Sequence, residues 1–216
     1  MVPTKKLYNG MVIPQIGLGV YKVPEEDVYD AVTSAIKAGY RHIDTASYYQ
    51  NETGVGNAIK DSGLKREDIF VTTKVWNDEQ GYDHTLKAFE RSLKKLGMDY
   101  VDLYLVHWPI RGLFPETYKA LEHLYKEGRV KAIGVSNFLD HHLIELLETA
   151  EIKPMMNQIE LHPKLVEQAT IDFCKEQDIV IESWAPLGRA NYLDDARLKH
   201  LAEKYGKSTA QIILRW

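Results

Sequence analysis

Apolar positions along the chain follow two alternating rhythms. Short β-branched or apolar runs at 16–20, 42–44, 69–73, 101–106, 132–136, 156–160 and 180–183 read as strands. Between them apolar residues recur at helical spacing over 27–38, 52–61, 82–96, 114–127, 139–150 and 166–177. Pro24 suits a first helical turn, and Gly39 and Gly128 suit the chain reversal after a helix. This alternation predicts βαβ units around a parallel sheet. Ahead of it, Lys6-Leu7-Tyr8-Asn9-Gly10-Met11-Val12-Ile13 carries the Asn-Gly pair of a two-residue hairpin, expected to cover one end of the sheet without joining it.

An open doubly wound sheet would show the same alternation, so the glycines decide. Gly17-x-Gly19 and Gly54-x-Gly56 lack the third glycine of a dinucleotide fingerprint, and the first leads to Tyr21 and Pro24, not directly into a helix. Phosphate-loop, paired-cysteine zinc and internal-repeat patterns are absent from the sequence. The expected architecture is α/β, a TIM-type (β/α)8 barrel with an N-terminal β-hairpin, forming one domain over residues 1–216.

Composition narrows the possible partners. With 44% hydrophobic residues in 216, the chain has apolar mass for one substantial core. A formal charge of −4 provides no basic field, so neither nucleic acid nor a membrane is expected as a partner. One cysteine, Cys174, forms no internal disulfide, and no signal-like segment or long apolar run occurs, which together suggest a soluble, cytoplasmic protein, read as a monomer. Cys174 lies in a helical pattern without an evident base and is read as a buried structural thiol.

In a barrel the working groups stand at the carboxyl ends of strands. Asp44, Lys74, His107, the pairs Ser136/Asn137, Gln158/Glu160 and Ser183/Trp184 end successive apolar runs, forming a ring around one mouth. Asp44 and Lys74 on adjacent strands can pair, giving a fixed positive centre. Beside that ammonium the phenol of Tyr49, five residues past Asp44, would ionise more easily and serve as a general acid for carbonyl reduction. His107 could donate a second hydrogen bond to the carbonyl oxygen. Tyr21, Tyr48, Trp76 and Trp108 adjoin strand ends and would make an apolar wall for small aldehydes and ketones. His42 and His162 are read as structural, and no metal is expected.

These residues carry a resemblance. Gly39-Tyr40-Arg41-His42-Ile43-Asp44-Thr45-Ala46, followed by Tyr49, Asn51-Glu52 and Gly54-Val55-Gly56, resembles the first signature of the aldo-keto reductase family. Met98-Asp99-Tyr100-Val101-Asp102-Leu103-Tyr104-Leu105-Val106-His107-Trp108-Pro109 resembles the second, and Thr73-Lys74-Val75-Trp76-Asn77, Gly134-Val135-Ser136-Asn137-Phe138, Asn157-Gln158 and Pro186-Leu187-Gly188 fall in the family's order. The resemblance is to bacterial-type reductases of aldehydes, 2-oxoaldehydes or diketo-gluconate.

The resemblance implies NADPH-dependent reduction, with Tyr49 as proton donor, Lys74 and Asp44 tuning it, and His107 orienting the substrate. It implies Ser136, Asn137 and Gln158 around the nicotinamide carboxamide, Pro186, Leu187 and Gly188 along the pyrophosphate, and Trp184 stacking where many members have Tyr. Tyr48 competes for the acid role, and the spacing to Asn51-Glu52 favours Tyr49. Relative to the family the chain reads as C-terminally incomplete: it ends at Trp216 in a helix opened by the Ser208-x-x-Gln211 capping pattern, with no eighth strand, basic segment for the 2′-phosphate or tail over the pocket. Two other functions stay open: a non-catalytic nicotinamide-nucleotide-binding or sensing subunit on the same fold, and an aldolase-like barrel using Lys74 as a Schiff base.

Overall fold

The computed structural model describes residues 2–216. Seven strands form one parallel sheet in chain order: β3 (Leu18–Gly19), β4 (His42–Asp44), β5 (Phe70–Val75), β6 (Val101–Val106), β7 (Val130–Ser136), β8 (Met156–Glu160) and β9 (Val180–Trp184). Helices α1 (Glu25–Lys37), α2 (Glu52–Asp61), α3 (Tyr82–Leu96), α4 (Phe114–Lys126), α5 (Asp140–Leu147) and α6 (Gln168–Glu176) lie between them, with α7 (Ala196–Tyr205) and α8 (Thr209–Arg215) following. This is the predicted barrel architecture, nearly closed: β3 and β9 are the two outer strands among the described residues. A cleft of about 1130 Å³, lined by Gly19, Tyr21, Glu182 and Trp184 among others, runs through the interior.

Every residue of β5 and β6 is buried, as expected of parallel strands covered on both faces. Val71, Leu103 and Val135 are fully buried, as are Val28, Val55, Phe89 and Leu121 from the surrounding helices. Each such side chain contributes roughly 1.5–3 kcal/mol of burial. The hairpin β1 (Thr4–Lys6) and β2 (Val12–Pro14) is antiparallel and separate from the sheet. Tyr8 Oη donates to the Lys153 carbonyl at 2.5 Å and Asn9 Nδ2 to the Lys131 carbonyl at 3.1 Å. Those anchors stand at the amino ends of β8 and β7, so the hairpin covers the end opposite the mouth.

Several boundaries differ from the predicted ones. The first strand pairs only over Leu18–Gly19. The third reaches Val75, placing Lys74 inside the ladder opposite Leu105 instead of beyond it. Helix α5 stops at Leu147, where the N–H groups of Thr149 and Ala150 turn back to the Leu146 carbonyl. Helix α7 was not anticipated: the Asp195 side chain caps it, accepting from the Arg197 N–H at 2.9 Å, and Gly206 ends it at φ 60°. Helix α8 opens with the predicted capping box, Ser208 and Gln211 bonding reciprocally. Among the described residues, no helix is long and apolar enough to cross a membrane.

Candidate active site

Parallel pairing sets Asp44 beside Thr72, and two residues further along β5 comes Lys74. Side chains alternate along a strand, so Lys74 shares its face with Thr72 and points to the interior. Lys74 Nζ lies 2.5 Å from Asp44 Oδ1, 3.0 Å from the Thr45 carbonyl and 3.4 Å from Tyr49 Oη. It is fully buried, and three oxygens meet its three protons. Burial alone would lower its pKa, yet Asp44 and Tyr49 together raise it, so the ammonium stays charged. A charged amine does not add to a carbonyl, which removes support from the Schiff-base alternative.

Tyr49 sits on a short 3-10 turn, Ser47–Tyr49, after β4. The turn is held by Asn51, a buried residue whose Nδ2 donates to the Val20 and Val23 carbonyls at 2.9 Å while its Oδ1 accepts from Thr45 Oγ1 at 2.7 Å. One expectation is corrected here. Lys74 does lower the Tyr49 pKa, but burial outweighs it, and the phenol is held above its ordinary value. The group therefore keeps its proton through neutral pH.

His107 follows β6 directly, and burial, assisted by the Lys74 charge, pushes its imidazole down to about 3. It is a neutral ring at physiological pH, with Nδ1 buried and unpartnered. Its carbonyl accepts from Asn137 Nδ2 at 2.9 Å, and that nitrogen also reaches Ser136 Oγ at 3.1 Å. Asn137 adopts φ 64°, a left-handed conformation asparagine tolerates. Ser136 Oγ donates to the Gln158 carbonyl at 2.9 Å, and Trp184 Nε1 donates to Asn137 Oδ1 at 2.8 Å. Ser136, Asn137, Gln158 and Trp184, from β7, β8 and β9, are thus one hydrogen-bonded set.

Tyr48 and Trp76 stack with ring centroids 3.7 Å apart, and Trp76 meets the His107 ring edge-on at 4.9 Å. Tyr21 packs on Tyr49 at 5.0 Å. These aromatics and Trp108 line the same cleft as Asp44, Tyr49, His107, Ser136, Asn137, Gln158, Trp184, Pro186 and Leu187. Gly188 is buried behind that lining at φ 55°, where a Cβ would fall inside the Tyr192 ring. Three further polar residues are held by partners outside this hydrogen-bonded set. Glu160 lies 3.6 Å from His162 Nε2, Ser183 Oγ donates to the Leu161 carbonyl at 2.5 Å, and His42 Nε2 is 3.0 Å from Thr72 Oγ1 deeper in the barrel. Cys174 is buried, and burial raises its thiol to about 11.

Sequence reasoning missed Glu182. It lies mid-strand on β9, opposite Gln158 in the ladder, and accepts from Gln158 Nε2 at 3.1 Å. The available signal was period two: Glu182 shares the inward face with Trp184, which was singled out.

Fold and mouth together define a parallel β/α barrel with a buried ammonium, a proton-bearing phenol and a neutral imidazole at the carboxyl ends of its strands. The chain belongs to the aldo/keto reductase family, whose sequence model matches residues 15–216. It is similar to a glyoxal reductase of Bacillus subtilis, 55% identical over 214 residues that cover 99% of this chain and 78% of that protein. It also resembles a methylglyoxal reductase, DkgA, of Salmonella typhimurium, 46% identical over 98% of this chain and 78% of that one. Among solved structures, an aldo/keto reductase from Brucella melitensis superposes with TM-score 0.97 at 55% identity, covering all of this chain and 84% of the other. A Bombyx mori aldo-keto reductase in complex with NADP gives 0.94 at 37% identity, covering 99% and 79%. The chain is accordingly an oxidoreductase of a family that uses nicotinamide cofactors.

Proposed function

We propose that this chain reduces small aldehydes and ketones, 2-oxoaldehydes among them, to alcohols, with NADPH as cofactor and Tyr49 as proton donor. The observation that carries the reading is Lys74 Nζ standing between Asp44 Oδ1 at 2.5 Å and Tyr49 Oη at 3.4 Å at the wall of an aromatic cleft. The names of the relatives, glyoxal reductase and methylglyoxal reductase, support the substrate class.

The lining fits a nicotinamide dinucleotide. Trp184 offers a planar face, and Ser136, Asn137 and Gln158 offer hydrogen-bonding groups suited to a carboxamide. Pro186 and Leu187 would lie along the pyrophosphate, with Gly188 letting the loop close on Tyr192. When bound, the reduced nicotinamide supplies the hydride. Because Lys74 donates to the phenol oxygen, the Tyr49 proton is free to point into the cleft toward a substrate oxygen. As negative charge gathers on that oxygen, the nearby ammonium stabilises both it and the phenolate left behind. For His107, an unpartnered acceptor is less costly to bury than an unpartnered donor, which favours the proton on Nε2 and a second hydrogen bond to the oxygen. The phenol of Tyr48, stacked on Trp76, is turned to shaping the wall.

The test is NADPH consumption with glyoxal, methylglyoxal and a simple ketone, scored against alcohol formed. One alcohol per dinucleotide oxidised is expected. Tight dinucleotide binding with no turnover on any of them would instead favour the non-catalytic reading.

A further inference from the structure

Gln158 directs its side-chain amide nitrogen at two carboxyl groups. Nε2 lies 2.9 Å from Asp44 Oδ2 and 3.1 Å from Glu182 Oε1, so both amide protons are used inward. The Asp44 carboxylate is acceptor-only: it takes an N–H and repels an amide oxygen, which leaves the amide one allowed orientation. Oε1 then occupies the side of the planar group away from both carboxyls.

Glu182 is an expensive residue to keep here. One ligand atom from each of His42, Asp44 and Glu182 lies within 4.8 Å of the others, and the ammonium of Lys74 is already committed to Asp44 Oδ1. Burial, with the Asp44 charge second, pushes the Glu182 carboxyl up to about 8, so at neutral pH it is uncharged and its carbonyl oxygen still accepts a hydrogen bond. Its Oε2 is buried without a partner. The hydrogen-bonded run of Asp44, Lys74 and Tyr49 makes no use of it. What Glu182 does is occupy the second amide proton of Gln158.

We propose that Glu182 is a positioning residue for cofactor binding: with Asp44 it holds the Gln158 amide nitrogen inward, so that Gln158 Oε1 is the atom offered to the N–H of a nicotinamide carboxamide. The inference rests on the nicotinamide site proposed above. With Glu182 gone, the amide pivots on its single bond to Asp44, and its second N–H competes with Oε1 for the cleft, donor facing donor.

The experiment compares two dinucleotides, NADP+ and its 3-acetylpyridine analogue, which keeps the carbonyl but lacks the amide N–H. Dissociation constants are read by quenching of protein fluorescence. Glu182→Leu should weaken NADP+ about tenfold, the size of one lost hydrogen bond, and the analogue less than about twofold. Glu182→Gln, which retains an acceptor oxygen, should bind both like the unchanged chain. Equal weakening of both ligands, or none, in a Glu182→Leu protein that melts normally would overturn the proposal. The unchanged chain gives an independent readout by NMR: the two Gln158 side-chain amide protons, both bonded inward, should exchange with solvent far more slowly than those of an exposed glutamine, and exchange at the exposed rate would also overturn it. If the unchanged chain binds neither dinucleotide, the functional reading itself falls and this inference with it.

Discussion

Replacing Lys74 with Met removes the ammonium 2.5 Å from Asp44 and leaves a hydrophobic stem of similar length in a fully buried position. Asp44 is then a carboxylate 8% exposed whose remaining side-chain bond comes from Gln158 Nε2. The Thr45 carbonyl also loses its donor. Breaking a buried pair by removing one partner costs about 3–5 kcal/mol, and the surviving Gln158 bond argues for the low end. For a chain of this size each kcal/mol moves the melting temperature by roughly 2–4 °C, so Lys74→Met should melt about 6–12 °C lower. Thermal unfolding followed by circular dichroism measures it. The double variant Lys74→Met with Asp44→Asn removes the orphaned charge and should recover part of the loss, a non-additivity expected of touching residues. An unchanged melting temperature in the single variant, or strict additivity in the double, would refute a buried ion pair at this site.

Stability should depend on pH in two opposed ways. His42 and His107 are lowered from 6.5 to about 4 and about 3, mainly by burial, so below 6.5 the unfolded chain binds protons that the folded chain refuses, and stability falls as pH drops. Glu182 is raised from 4.5 to about 8, so over that interval the folded chain holds a proton the unfolded chain has released, and stability falls as pH rises. The melting temperature should therefore peak near pH 6.5, where the histidine loss has ended and the Glu182 loss continues, and Glu182→Gln should flatten the alkaline side. A Trp184→Phe substitution keeps an aromatic face and removes the indole N–H that Asn137 Oδ1 accepts. It should weaken dinucleotide binding by about 2- to 10-fold, as for one hydrogen bond, and fluorescence titration would show whether it does.

Much of the site was legible because polar residues interrupt apolar runs at fixed places. Asp44, Lys74, His107, Ser136, Asn137, Gln158 and Trp184 all end or nearly end predicted strands; the structure gathers six of them along one cleft and buries Lys74 directly behind Asp44. The barrel was legible for the same reason, as strand and helix periods alternate through α6. Glu182 escaped notice because its neighbours Ile181 and Ser183 made the run read as strand interior, and because its partner Gln158 is 24 residues away and is itself bonded to Asp44, 114 residues from Gln158 along the chain. Helix α7 escaped notice although Leu198, Leu201, Ala202 and Tyr205 recur at helical spacing: the stripe is short, and Ala202 is its one buried residue. The Tyr49 shift went the other way from expectation because the neighbouring charge is visible in sequence, whereas the depth of burial that outweighs it is a property of the packed fold.

The central claim is that the Tyr49 phenol, and not that of Tyr48, delivers the proton. The direct measurement is methylglyoxal reduction by the unchanged chain, Tyr49→Phe and Tyr48→Phe at saturating NADPH, with dinucleotide affinity titrated in parallel. Tyr49→Phe should lose at least about 100-fold in kcat, the lower range for a general acid, while its dinucleotide affinity stays within about twofold. Tyr48→Phe should retain most of its kcat, since its ring still stacks on Trp76. An active Tyr49→Phe beside an inactive Tyr48→Phe would contradict the account.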